Sequence, residues 1–371
     1  MPSPRILVTG AAGFLGAAIT ADLISRDVWP HVRLQLRGDS HALALARVRE
    51  ALLRFEVPAE QVARLDISQI MLGDLNDPGA MFDEPGLAEV THVINCAALA
   101  TFSNNPALWR INVDGTFAFA KRLSEVARLE RFVHVGTAMC VGPDAPSPVP
   151  EGYDPDTPIR HLVPYSETKI EIERKLLREL PQLPLVQARP TIIVGHSRLG
   201  TRPSGSIFWV FRTAQRLERF TVSLQERIDV IPVDWAAHTL VELTLKPTLK
   251  HRFYHLSAGP DAASTFQELD AAIAEGRCVE PLGARYRQAS LEELEAMSGE
   301  YQARLGPCHP RIMQRAIRLY GTFAALGITF RNDHLLDEGL APPPPFASYA
   351  ALCAATSEGV TIADQMMADF K

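Results

Sequence analysis

The chain has 371 residues, 47% hydrophobic and 22% charged, with a formal net charge of −6, a composition that allows a sizeable core in one large domain or two ordinary ones. Its lysines and arginines are dispersed, which disfavours nucleic acid as a partner, and its five cysteines lack C-x-x-C spacing, which favours free thiols in a reducing cytoplasm over a disulfide framework or zinc site. No run approaches the ~20 apolar residues of a membrane-spanning helix, no H-E-x-x-H metal motif occurs, and the first strand starts too early to leave room for a signal peptide, so a cytoplasmic protein without a metal centre is expected.

Residues 5–8 form a short apolar, β-prone run and residues 17–24 read as a helix; between them lies Thr9-Gly10-Ala11-Ala12-Gly13-Phe14-Leu15-Gly16. Glycines at a strand-to-helix turn let the backbone approach a pyrophosphate, whose charge the free N–H groups of the helix N-terminus stabilise. The spacing is G-x-x-G-x-x-G, not the G-x-G-x-x-G of the dehydrogenase fingerprint. An alternating strand at 32–37 and an Ala/Leu/Arg-rich helix over 41–55 follow. Arg37 ends that strand 21 residues past Gly16. At this place an acid would accept from the ribose 2′-hydroxyl of NAD, whereas an arginine accommodates the 2′-phosphate of NADP. Arg37 therefore favours NADPH over NADH.

Two further runs, 70–75 and 90–98, are apolar and end in small or polar residues, as buried parallel strands opening onto a ligand crevice do. Asp74, followed by Leu75, is placed either to accept from the adenine amino group or to cap a turn. Ala97 and Ala98 offer a surface without bulky side chains along a cofactor. A helix containing Asn112 to Thr116 comes next, then a strand over 132–137 that ends in Thr137.

A proline-rich loop from Asp144 leads into a helix that opens at Pro164 and that Pro181 closes. Tyr165 and Lys169 are four apart and share one helix face, roughly 6 Å from each other. A lysine ammonium beside a phenol is expected to favour the phenolate and lower the tyrosine pKa. The tyrosine can then protonate, or donate a hydrogen bond to, an oxygen that gains charge as hydride arrives, and Thr137 can supply a second donor.

Residues 185–195 form a strand running into a loop, where Pro190, with Thr191 and Ile192, is expected against a nicotinamide carboxamide. From about residue 204 the pattern becomes more helical. Arg212, Arg216 and Arg219 read as a solvated helix face, or as receivers of carrier phosphates. His251 and His255 flank a strand-like stretch as solvent-facing or satisfied polar groups. The expected organisation is an NADP-binding domain over 1–203, with a return segment at about 228–258, and a mainly helical substrate region over 204–371.

The ordered set Thr9 to Gly16, Asn95 to Ala98, Thr137 and Tyr165 to Lys169 resembles the extended short-chain dehydrogenase/reductases. Leu34 to Gly38, Gly73-Asp74-Leu75, Asn112 to Thr116 and His134 to Ala138 are most similar to the thioester reductases and fatty acyl-CoA reductases, the male-sterility-type NAD-binding group. The resemblance implies an α/β Rossmann fold, a doubly wound parallel sheet with a smaller helical C-terminal substrate region. It implies Thr137, Tyr165 and Lys169 as the catalytic triad, Gly10, Gly13 and Gly16 at the pyrophosphate, and Lys169 also on the nicotinamide ribose. Gly136 departs from the family pattern, standing where relatives usually carry a serine.

The activity so implied is NADPH-dependent reduction of an acyl thioester, presented on coenzyme A or an acyl carrier protein, to an aldehyde and onward to an alcohol if a second reduction follows. A sugar-nucleotide epimerase or dehydratase, a hydroxysteroid-type dehydrogenase and a nucleotide-sensing binding protein are the alternatives. Ala138-Met139 after Thr137 offers no acidic pair for a dehydratase, Arg37 argues against an NAD-recycling epimerase, and a sensor would need no acid–base group.

Overall fold

The computed structural model describes residues 4–84, 86–154 and 158–369; residues 155–157 of the expected proline-rich loop lie outside them. Seven strands alternate with helices along the chain: β1 (Ile6–Thr9), α1 (Phe14–Ser25), β2 (Val32–Leu36), α2 (His41–Arg54), β3 (Ile70–Leu72), β4 (His92–Asn95), α3, β5 (Arg131–Val135), α4 (Pro164–Glu179), β6 (Leu185–Pro190), α5 (Phe208–Leu217), α6 (Val233–Leu245) and β7 (Phe253–Leu256). Helix α3 begins at Ala107–Trp109, passes through a π-helical turn at Arg110–Gly115 and ends as Thr116–Val126. The strand order is β7-β6-β5-β4-β1-β2-β3, and every pairing is parallel. This is the expected doubly wound α/β sheet, whose order reverses beside β1.

Alternation along each buried strand builds the two faces of the sheet. Ile6 and Val8 point into a core shared with α1, α2 and α6. Leu7, between them, joins the opposite core with Val93, Phe132 and helices α3 and α4. Beyond β7 the chain adds α7 (Phe266–Gly276), α8 (Pro310–Ala324), α9 (Ala347–Thr356) and α10 (Ile362–Asp369). These pack around Trp209, Phe220, Tyr301 and Tyr320 in one cluster and Phe208, Phe211, Phe346 and Tyr349 in another. A short stretch returns to the sheet: Leu335 joins the first core, and the Glu338 carboxylate accepts from the Tyr254 hydroxyl at 2.9 Å. Among the described residues no helix is long and apolar enough to cross a membrane.

Helix α4 is fixed to the sheet by charge as well as by packing. Arg189 on β6 donates through Nε and Nη2 to one carboxylate oxygen of Glu173, at 2.9 and 2.6 Å, with both side chains almost wholly buried. The other oxygen, Oε1, has no hydrogen-bond partner among the described residues. It lies over Gly136, where an added Cβ would stand 2.1 Å from it. The residue that departs from the family pattern is thus matched to a carboxylate that fills the space a side chain would need.

Gly136→Ala is expected to destabilise the fold by overpacking, by about 1–3 kcal/mol, and Glu173→Ala by about 3–5 kcal/mol because the Arg189 charge stays buried without its partner. The double variant should cost less than the sum, since the two side chains compete for one space. Denaturant unfolding of the four proteins measures the cycle, and strict additivity would count against the steric match.

Candidate functional site

Gly10 leaves β1 with φ +67°, a left-handed turn that glycine adopts without strain. Its N–H donates to Gln35 Oε1 at 3.3 Å, and a Cβ on it would press on the Ala97 backbone at 3.0 Å. Gly16 packs directly on this turn, because a Cβ on it would stand 2.2 Å from the Gly10 carbonyl oxygen. Helix α1 therefore starts in close contact with the turn, with its first N–H groups directed at the sheet's C-terminal edge.

Beside this turn lies a cleft of about 270 Å³, reached by Gly10, Gly13, Arg37, Asp74, Leu75, Ala97 and Ala98. These seven expected residues, from four separate loops, meet in one place. The cradle of bare backbone, the small residues after β4 and the guanidinium at the end of β2 fit a dinucleotide. Asp74 also meets its second reading, since its Oδ1 accepts from the Asn76 N–H at 2.8 Å. Among the wall residues that sequence reasoning missed are Arg47 and Gln35. Arg47, exposed on α2 like Arg37 on its loop, reaches back to donate to the Arg37 carbonyl at 2.6 Å and doubles the positive charge at the cleft. Gln35 donates to the Gly73 carbonyl at 2.6 Å and ties β2 to the loop after β3. In the sequence Arg47 is one of several arginines in an Ala/Leu/Arg-rich helix, with nothing to single it out.

Other expected cofactor residues do not line this cleft. The Thr9 hydroxyl donates to Asn95 Oδ1 at 2.8 Å and accepts from the Ala97 N–H at 3.0 Å, so it joins the ends of β1 and β4. Phe14 stacks on Phe55 with ring centroids 6.1 Å apart, and Leu15 packs against the first core. Pro190 is buried at the end of β6. Thr191 donates to Asp229 Oδ1 at 2.9 Å. Ile192 lines a different, apolar cavity, because residues 192–193 leave the sheet and pair with Val230–Ile231.

The candidate catalytic residues converge at the C-terminal edge of β5. Thr137 is half-buried and caps a short turn over Ala138–Val141, its Oγ accepting from the Met139 N–H at 3.3 Å. Tyr165 and Lys169 lie one turn apart at the start of α4. Lys169 is buried and donates from Nζ to the Val135 carbonyl at 2.7 Å. Burial pulls its ammonium down to about 8, opposed chiefly by the charge of Glu173. Tyr165 moves the other way from the expectation: desolvation pushes its phenol up to about 12. One Lys169 N–H is engaged by a backbone carbonyl, and desolvation, not the lysine charge, sets the direction of the Tyr165 shift. At neutral pH Tyr165 is a proton donor.

Asn112, which the sequence places only within a motif, links α4 to the loop after β4. Its amide donates to the Leu99 carbonyl at 3.1 Å and to the Thr168 hydroxyl at 3.1 Å, and its oxygen accepts from the Leu99 N–H at 2.8 Å. It sits in the π turn of α3, a local irregularity often found at functional sites. Arg212 differs from its expected solvated role: it donates to Gln365 at 2.9 Å and to the Val360 carbonyl at 2.8 Å, tying α5 to the C-terminal helix. His255 is buried and its Nδ1 lies 3.1 Å from the Arg331 carbonyl oxygen. No group of three or more His, Cys, Asp or Glu side chains that could hold a metal ion occurs among the described residues.

Residues 8–240 match the family described as male sterility protein. Among curated proteins the chain is similar to an isonitrile lipopeptide synthase of Streptomyces coeruleorubidus, 30% identical over 65% of this chain and 16% of that one. It is also similar to the aldehyde reductase lnaA of Aspergillus flavus, 24% identical over 84% of this chain and 31% of that one. The chain spans about a third or less of the length of the curated relatives it matches. Its fold is that of the terminal R domain from the myxalamid PKS-NRPS biosynthetic pathway, with a TM-score of 0.74 at 20% identity over 95% of this chain and 90% of that one. With the glycine turn, the small-residue wall and the parallel sheet matched in order, the chain belongs to the male sterility protein family of extended short-chain dehydrogenase/reductases and is an NAD(P)-dependent oxidoreductase.

Proposed function

We propose that the chain reduces an acyl thioester to an aldehyde with NADPH, using Thr137, Tyr165 and Lys169, and that the acyl group arrives on a carrier protein or coenzyme A. The observation that carries this reading is the placement of Tyr165 and the buried Lys169 one helical turn apart at the start of α4, beside Thr137 at the end of β5. A carbonyl oxygen gaining charge needs such a donor. Arg37 and Arg47 at the cleft support a 2′-phosphate, which accepts charge-assisted hydrogen bonds from a guanidinium. The names of relatives, a lipopeptide synthase and an aldehyde reductase, favour a carrier-bound substrate. We also assign substrate binding to residues 204–371, apart from the sheet-returning segment at about 228–258, and dinucleotide binding to residues 1–203.

When bound, the reduced nicotinamide supplies hydride to the thioester carbonyl carbon. The carbonyl π pair moves to oxygen, which takes the Tyr165 phenol proton and accepts a hydrogen bond from Thr137. The resulting hemithioacetal returns its hydroxyl proton to the tyrosinate, the C=O bond re-forms and the C–S bond breaks. The thiolate leaves and takes a proton from water, so one thioester, one hydride and one proton become one aldehyde and one thiol. Lys169, while cationic, stabilises the transient phenolate and holds the nicotinamide ribose.

Three outcomes are expected when oxidation of the nicotinamide is followed with acyl-CoA and acyl-carrier substrates. Tyr165→Phe should lower kcat by about 10²- to 10⁴-fold while still binding cofactor, and a variant as active as the parent would remove the assignment. Because Lys169 must stay charged and its ammonium is pulled down to about 8, kcat should fall as pH rises through that region; a profile flat to pH 10 would speak against its role. Arg37→Ala should weaken NADPH by about 10- to 100-fold, the loss of one or two charge-assisted bonds, with little change for NADH, and equal losses would undo the NADPH preference.

A further inference from the structure

The loop that joins β4 to α3, residues 96–106, leaves the dinucleotide cleft after Ala97, Ala98 and Leu99 and crosses to the C-terminal helices at Phe102, which packs on the cluster around Trp209 and Tyr320. Its base is fixed. Asn112 accepts from the Leu99 N–H at 2.8 Å, donates to the Leu99 carbonyl at 3.1 Å, and ties both to Thr168 of α4. Its tip is held by local hydrogen bonds: Thr101 Oγ accepts from the Ser103 N–H at 3.3 Å, the Asn105 N–H donates to the Ser103 carbonyl at 2.9 Å, and Asn105 Oδ1 accepts from the Ala107 N–H at 2.9 Å. Residues 103–106 are exposed, whereas Phe102 is half-buried. The Phe102 ring lies 5.6 Å from that of Tyr320, 5.7 Å from that of Phe323 and 6.1 Å from that of Tyr165, centroid to centroid. One side chain thus ties the tip to α8 and covers the candidate proton donor.

This contact closes the side from which a substrate has to come. The dinucleotide reading puts the cofactor on the side of the glycine turn, so a thioester approaches Tyr165 from the C-terminal helices. There Phe102 touches both aromatic rings of α8. The two spaces that Phe323 helps to line measure about 60 and 10 Å³, whereas a pocket that takes a small molecule measures roughly 300–1,000 Å³. Tilted and offset ring pairs are favourable but individually weak. A segment with a polar exposed tip, local hydrogen bonds and one apolar anchor opens at low cost, while its base stays in place.

We propose that residues 100–106 form a lid latched by Phe102, and that a pantetheinyl thioester reaches Tyr165 by displacing the Phe102 ring from Tyr320 and Phe323. The inference rests on the thioester-reductase reading and adds a closed state to it. Leu99, held by Asn112, is the fixed side of the hinge, and the dinucleotide cleft lies beyond it. The pantetheine arm binds the open form alone, so its apparent affinity is lowered by the fraction of molecules that are open, and removing the latch removes that cost. The dinucleotide does not compete with Phe102, so its affinity is independent of the latch.

The test compares the parent with Phe102→Ala and Phe102→Leu in calorimetric titrations of NADPH and of S-ethylpantetheine, a thioether that cannot be reduced, and in amide hydrogen exchange over residues 99–105. Phe102→Ala should bind S-ethylpantetheine about threefold tighter or more, with NADPH affinity unchanged. Exchange over residues 100–105 should be faster by about tenfold or more, and that of Leu99 unaltered. Phe102→Leu, which keeps apolar volume but loses the ring contacts, should fall between the two and carries the comparison if the alanine variant does not fold. Support requires both changes: S-ethylpantetheine bound more weakly, equally or not at all by the variants, or exchange no faster, overturns the lid. Reduction of acetyl-pantetheine by the parent together with such a result keeps the reductase reading and sinks the lid. Tighter binding and faster exchange with no thioester reduced keeps the lid and sinks that reading.

Discussion

The buried pair between Glu173 and Arg189 holds the candidate chemistry in register. Helix α4 carries Tyr165, Lys169 and Glu173 four residues apart, so one face of it presents all three toward β5 and β6. Arg189 anchors the last of them with two hydrogen bonds to one oxygen. The other oxygen reaches over Gly136, between the ends of β5 and α4. A pair so deeply buried adds little net stability over an apolar substitute, but losing one partner strands a charge. Its effect is geometric: it sets how far α4 can slide along the sheet, and with that the reach of Lys169 to the Val135 carbonyl.

Electrostatics at this edge follow from the same burial. Tyr165 and Lys169 are each driven toward their neutral forms, the phenol upward and the ammonium downward. The charge of Glu173 opposes the second shift, and no comparable charge opposes the first. The outcome is a phenol that keeps its proton and an ammonium that keeps its charge near neutrality, which suits a site that must give a proton away.

Two spaces of opposite character flank these residues. Toward the N-terminal half the cleft is walled by backbone, alanines and two arginines; toward the C-terminal half the cavity is walled by aromatic and aliphatic side chains. Phe102, on the loop after β4, touches both the Tyr165 ring and the rings of α8. Asn112 holds the base of that loop to α4 through Leu99 and Thr168. The loop after β4, which reaches the first cleft through Ala97, Ala98 and Leu99, thus touches the wall of the apolar cavity through Phe102.

Much of this was legible in the sequence because it is local. Strand alternation, the glycine turn and the four-residue spacing of Tyr165 and Lys169 need no partner to be read, and the length of each strand fixes which loop its last residue enters. Arg37, Asp74 and Ala97 were therefore identified from position along single strands, and they meet in one cleft. Thr9, Phe14 and Thr191 sit in equally local motifs, yet their side chains are claimed by Asn95, Phe55 and Asp229, which lie 86, 41 and 38 positions away. Arg47 and Glu173 stand in no motif, Gln35 stands in one that gives its side chain no role, and all three act through partners that only packing supplies. The direction of the Tyr165 shift belongs to the same class. Sequence names a lysine four residues on, but the desolvation that outweighs it comes from strands and helices brought together from across the chain. What the sequence determined is the backbone path and the order of the functional groups; which of them face the cleft, which are buried into neutral forms, and what covers Tyr165 were decided by tertiary contacts.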